Sequence, residues 1–209
     1  LLDYLTNAFA MLFVTIDPIG LAPMFLAVTA GATTAQRRSI AIKTIIISTA
    51  TLLVFFAAGQ SVLSVMGISQ PAFKVAGGLL LFIIAVEMVF EHRTKRKAES
   101  AEKAIEDDHD LSHVAVFPLS IPLIAGPASI SALILLTPQA PGIYGLVGLL
   151  GVMIAVLIIT FIVFILADKI EAYMGATVQV ILTRLFGVLL AALSVQFVAD
   201  GIFNLIAVH

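Results

Sequence analysis

The chain has 209 residues, 61% apolar and 11% charged, with a formal net charge of −2. Soluble domains average about 25% charged residues, and a mean hydropathy of +1.14 leaves too little polar surface to cover a water-exposed globule. These values exclude a soluble domain and describe a polytopic membrane protein. No basic stripe with interleaved aromatics lies outside one loop, so no nucleic-acid partner is expected. Cysteine is absent, which removes disulfides and thiolate metal sites.

A helix needs roughly 20 apolar residues to cross about 30 Å of hydrocarbon, and on that ruler the chain contains six spans. The first runs from about Leu5 to Thr29, with Asp17-Pro18-Ile19-Gly20 at its middle. It opens without a basic n-region, so it reads as a mature span and not as a signal peptide. After a short polar loop, with Thr34 as the expected N-cap, the second span covers Ser39 to Met66. The turn Gly67–Pro71 leads into the third, Ala72 to Phe90.

Residues 91–110 form the one extended polar stretch, basic first and acidic later. The fourth span, Leu111 to Thr137, is interrupted by Pro118, Pro122 and Gly126-Pro127. The fifth covers Ile143 to Ala167, residues 168–177 read as a loop, and the sixth covers Val178 to Ala207. With six spans, every Lys and Arg except Lys74 falls on one side. The positive-inside rule makes that side cytoplasmic and puts both termini outside.

The two interrupted spans stand in register. Pro18 and Pro127 are 109 residues apart, the same offset pairs Gly78 with Gly187, and it lays Glu87 on Gln196. Each half, 1–90 and 111–209, carries three spans. An odd number forces the halves into opposite orientations, so the expected fold is all-α, two inverted three-helix repeats joined by the loop 91–110, with helices 1 and 4 broken.

Proline in a spanning helix removes a backbone donor, and irregular backbone at membrane depth is tolerated where it is buried or lines a cavity. Asp17 as N-cap with Pro18 at the first helical position starts a fresh helix. Gly126-Pro127 with Ser129 does the same in the second half. Two such N-termini near the midplane, flexed at Gly20 and Gly126, would attract an anionic group. Asp17 is the first candidate for holding a cation, an ammonium or a proton, since intramembrane acids are costly; its plainer role is a structural cap. Glu87 is a second coupling candidate, or merely a helix-end acid, and Gln196 is its uncharged counterpart.

Lys74 and Arg184 are expected to snorkel outward. Gly77, Gly78, Gly187 and the series Gly142, Gly145, Gly148, Gly151 read as close-packing faces. The acidic cluster near His109 and His113 matches no metal motif, and neither a metal nor a cofactor is expected. All four histidines lie in loops or at the end, which argues against an enzyme.

The sequence resembles the MarC family of bacterial inner-membrane proteins along essentially its whole length. The resemblance rests on Asp17-Pro18-Ile19-Gly20 with Pro23, Gly77-Gly78 followed by Glu87-Met88-Val89-Phe90, Pro118 through Ser131, Val195-Gln196-Phe197, and Asp200-Gly201. Ala128 departs from it, since members often have glycine there, and this weakens the case for very close backbone approach to a ligand. The resemblance implies a six-helix protein related to LysE-type exporters, some relatives of which transport small neutral amino acids. The expected function is therefore secondary transport of a small neutral amino acid coupled to H⁺ or Na⁺. Substrate contacts would come from Asp17, Pro18, Gly20, Gly126, Pro127 and Ser129, and coupling from Asp17, Glu87 and Gln196. Beyond the solute and the lipid bilayer, a homo-oligomer stays open. The alternatives are an exporter of metal ions or other small solutes, and a scaffold or sensor that moves nothing.

Overall fold

The computed structural model describes residues 1–90 and 114–207; the expected loop 91–110, the start of the fourth span and His209 lie outside them. The described residues form helices and turns. α1 (Leu2–Ile16) and α2 (Pro18–Val28) follow each other across Asp17, and α3 (Thr34–Val65) and α4 (Gln70–Val89) complete the first half. α5 (Ala115–Ile124), α6 (Pro127–Leu136), α7 (Gly142–Ile165) and α8 (Ala167–Ala207) make the second. Five helical runs are long and apolar enough to cross a membrane, counting α1 with α2 as one. A sixth follows if α5 and Pro127–Gln139, bent by 49°, make one span.

Local chemistry sets most of these boundaries. α3 reaches back to Thr34, five residues ahead of the expected span start at Ser39, and its N-cap is one residue earlier than expected. Thr33, not Thr34, is the N-cap, and its hydroxyl accepts from the Gln36 N–H while Gln36 Oε1 accepts from the Thr33 N–H at 2.8 Å. Ser69 caps α4 through the Ala72 N–H at 3.3 Å. The stretch read as a loop at 168–177 is largely helical. α8 already begins at Ala167 and is interrupted only at Gly175, whose φ of 61° few other residues adopt.

The interrupted spans are the buried ones. In the α1–α2 span 67% of the apolar window is buried, against 22–33% for the other four full-length spans. α6 is buried from Ala128 to Leu136 except at Ile130. The remaining helices turn Ile46, Val54, Ile158 and Leu189 outward, as an apolar solvent permits. The break at Asp17 is thus enclosed by protein, whereas the extended residues Phe117 and Ile121 of α5 are exposed.

α4 and α8 form the most extensive helix pair, and their contacts are reciprocal. A Cβ on Gly78 would stand 3.0 Å from the Ser194 carbonyl oxygen and 2.8 Å from Val198 Cγ2. One on Gly187 would stand 3.0 Å from the Ala85 carbonyl oxygen and 3.0 Å from Val89 Cγ2. The expected glycine series in α7 is not one packing face. Gly148 meets Leu5 of α1, whereas Gly151 faces open space and Gly145 lies against its own preceding turn.

Candidate functional site at the two helix breaks

Asp17 is a single-residue joint. Its backbone is left-handed (φ 58°, ψ 63°), a region that aspartate enters more readily than most side chains. Its N–H donates to the Phe13 carbonyl at 2.8 Å, closing α1. Its carboxylate accepts the Gly20 N–H at 3.1 Å, opening α2. The residue is 4% exposed. Pro18, having no N–H, leaves one fewer donor to satisfy at the new helix start. Gly20 is glycine because a Cβ there would fall on the Asp17 carboxylate, 2.8 Å from its Cγ. This glycine leaves space for the acid.

The second break uses the same parts in exchanged positions. Gly126 is the N-cap, Pro127 the first helical residue, and Ser129 stands where Gly20 stands in the first half. Here the third residue reaches back: Ser129 Oγ accepts the Gly126 N–H at 3.2 Å and donates to the Ile124 carbonyl at 2.5 Å. A Cβ on Gly126 would collide with the Pro122 carbonyl oxygen. Ser129 is 1% exposed, Gly126 is buried and Pro127 is exposed. A hydroxyl has one proton, and Ser129 has committed it to the chain. The expectation that Ser129 donates to a solute therefore requires that bond to be released. In the first turn of α6, the N–H groups of Ala128 and Ser129 have no intrahelical acceptor and are the donors directly on offer.

Ahead of this break, α5 is wound wide. Leu119 N–H donates to the Val114 carbonyl and Ala125 N–H to that of Ser120, each five residues back. Phe117 and Ile121, preceding prolines, are extended, and the two X–Pro bonds are cis. α3 supplies polar partners from successive turns. Thr44 Oγ1 donates to the Ala115 carbonyl at 3.4 Å, and Ser48 Oγ lies 3.0 Å from Ser120 Oγ. Thr44, Ser48 and Ser120 are fully buried. Sequence reading passed over them because a serine in an apolar run carries no spacing signal.

Tyr4 Oη donates to the Leu136 carbonyl at 3.0 Å, which fixes the start of α1 level with the end of α6. At 1.5 Å per residue, Asp17 lies about 20 Å and Gly126 about 15 Å below that level. Both breaks are therefore well inside the bundle, at depths shorter than the roughly 30 Å that a spanning helix covers. α2 packs on α7 and α8, and α6 on α1, α3 and α4.

The remaining candidates are not gathered there. Glu87 is half-buried, one carboxylate oxygen shielded, at the level where Gly187 meets Ala85 and Met88. Gln196 belongs to the level of Gly78, about nine residues or roughly 13 Å away along the pair. Gln196 Nε2 donates to Asp200 Oδ1 at 2.7 Å, and Asp200 Oδ2 pairs with Lys74 Nζ at 3.2 Å. Lys74 was expected to snorkel free; with its side chain 18% exposed it is bound instead. At the opposite end Arg37 holds both oxygens of Asp168 at 3.0 Å and donates from Nε to the Thr29 carbonyl at the end of α2.

Helix breaks inside a shell of apolar spans, with Asp17, Ser120 and Ser129 buried in a largely apolar core, define an integral membrane protein. The chain belongs to the MarC family of integral membrane proteins, the match covering residues 2–206. It is similar to a UPF0056 membrane protein of Methanocaldococcus jannaschii, 34% identical over 201 residues that make 96% of this chain and 97% of the relative. Another from Aquifex aeolicus is 34% identical over 200 residues, 96% and 92% of the two chains. The UPF0056 membrane protein YvbG of Bacillus subtilis is 31% identical over 204 residues, 96% and 94%. No solved structure matches.

Proposed function

We propose that this protein is a secondary transporter of small neutral amino acids, working by alternating access between two inverted three-helix repeats, residues 1–90 and 111–209. The pair of buried, proline-started half-helices at matched positions carries this reading. A zwitterion suits it: the first-turn amides of α6 take the carboxylate, and Asp17 takes the ammonium or the coupling H⁺ or Na⁺. Glu87 would serve as a second acid nearer the cytoplasm. Reciprocal packing of α4 and α8 supports the repeat, because two elements related by a two-fold axis must exchange equivalent contacts.

The membrane is the bacterial inner membrane, with the loop 91–110 cytoplasmic and the termini outside. Arg37 and Asp168 pair across the α2–α3 and α7–α8 connections, which supports putting these basic connections on one side. As a carrier the protein makes and breaks no covalent bond.

Uptake of labelled L-alanine into proteoliposomes, under imposed proton or sodium gradients, tests the reading. Wild-type protein should accumulate the solute under one gradient, and Asp17→Asn, still folded, should not. Absence of uptake of alanine, glycine and serine under every gradient would remove the amino-acid assignment. Full uptake by Asp17→Asn would remove Asp17 from it.

A further inference from the structure

A separate cavity of about 370 Å³ lies at the end of the bundle where α1 begins, between the ends of α3, α4, α6 and α8. That volume is within the range of roughly 300–1,000 Å³ of small-molecule sites. It holds none of the residues at the two breaks. Gln60, Gln70, Lys74, Gln139 and Asn204 bring polar groups to it, and Leu63, Phe73 and Leu135 form an apolar wall. Part of the lining is pinned: Gln70 Nε2 donates to Gln60 Oε1 at 3.1 Å, and Gln60 Nε2 donates to the Ile134 carbonyl at 2.9 Å. α3, α4 and α6 are thereby tied together at one side of the cavity.

We propose that this cavity is an outer solute subsite that holds a small zwitterion, its carboxylate on Lys74 in the cavity wall and its ammonium reaching Asp200, which lies outside the lining but 3.2 Å from Lys74 Nζ and one turn before Asn204 on α8. The solute class rests on the transporter reading; the place rests on the cavity. Lys74 Nζ is shared between Asp200 and the face of Phe197, whose ring centre is 5.9 Å away. An ammonium has three donors on a four-carbon stem, so Lys74 can turn toward the cavity. Asp200 keeps its bond from Gln196 when Lys74 does so.

Charge selects the ligand. The Lys74–Asp200 pair is neutral as a unit, and a zwitterion inserted into it leaves the sum at zero. A simple carboxylate or amine would leave one uncompensated charge in a partly desolvated site, which is costly. The apolar wall suits a short aliphatic side chain. From Leu135 the buried face of α6 leads six residues, about 9 Å, to Ser129, so the subsite stands above the second break.

The test is equilibrium binding of L-alanine, propionate and ethylamine to the purified full chain in detergent, by calorimetry. It is read in wild type, in Asp17→Asn, and in Asp17→Asn carrying Lys74→Gln, Lys74→Met or Asp200→Asn. Far-UV circular dichroism confirms that each is folded. The subsite predicts that Asp17→Asn still binds alanine and that each added substitution weakens binding at least tenfold. Propionate and ethylamine should each bind at least tenfold more weakly than alanine. Alanine binding that survives Lys74→Gln, Lys74→Met and Asp200→Asn would overturn it. Binding lost with Asp17→Asn alone would overturn the subsite and leave the transporter reading standing. No binding of any probe to wild type would overturn the subsite, and the proteoliposome assay then decides the transporter reading separately.

Discussion

Gly20→Ala isolates the Asp17 joint, because the substitution adds one methyl group where the carboxylate already lies. The new Cβ would stand 2.8 Å from Asp17 Cγ, well inside contact distance, so the acid must leave its cap. A hydrogen bond to a charged group contributes about 1.5–3 kcal/mol. Replacing glycine by alanine within a helix returns up to about 1 kcal/mol. The net loss is about 0.5–2 kcal/mol, which for a chain of this length lowers Tm by roughly 1–8 °C. Gly151→Ala is the matched control, since a Cβ there meets nothing within 4 Å; it should leave Tm unchanged or raise it slightly. Thermal unfolding in detergent, followed by circular dichroism at 222 nm, reads both. Equal Tm values for the two variants would refute the claim that Gly20 exists to make room for Asp17.

Ser129→Ala strips partners from the Ile124 carbonyl and the Gly126 N–H, both buried, and should cost about 2–4 kcal/mol in the same unfolding measurement. The separate costs of Ser48→Ala and Ser120→Ala should sum to more than the cost of the double variant, by a coupling of roughly 0.5–1.5 kcal/mol in a double-mutant cycle; strict additivity would deny the hydroxyl pair. Gly78→Ala and Gly187→Ala should each destabilise by about 1–3 kcal/mol through overpacking. They should agree within about 1 kcal/mol, and a markedly larger gap would contradict reciprocal packing. Arg37→Gln should lower Tm only slightly, since a partly exposed ion pair contributes about 0–1 kcal/mol, and the difference should shrink in high salt.

Spans and breaks were legible because hydropathy and proline act locally. The predicted second span misses the first turn of α3 only because Arg37 and Arg38 belong to that turn, where the helix emerges from the apolar layer. Thr33 and Thr34 are equally good caps in isolation; Gln36 decides for Thr33 by closing the reciprocal pair. Residues 168–177 read as a loop because their charges interrupt an apolar run, yet charge is compatible with helix and only Gly175 breaks it. The Asp17 and Ser129 caps were legible as helix starts. Their spent hydrogen bonds were not, since a sequence does not say which acceptor a hydroxyl finds. The Lys74–Asp200 and Ser48–Ser120 contacts join residues 126 and 72 positions apart, beyond any local pattern. The α7 glycines share a helical spacing, but only Gly148 meets a neighbouring helix.

The α4–α8 pairing has a consequence for biosynthesis. About 90 residues of chain separate Val89 from Thr177, where the membrane-crossing part of α8 begins. At roughly 5–20 residues per second, α4 waits on the order of ten seconds beside the translocon with its Gly78 face uncovered. During that interval the nascent chain offers a small-residue groove to any passing helix. Completion of the second half both fills the groove and ends that exposure.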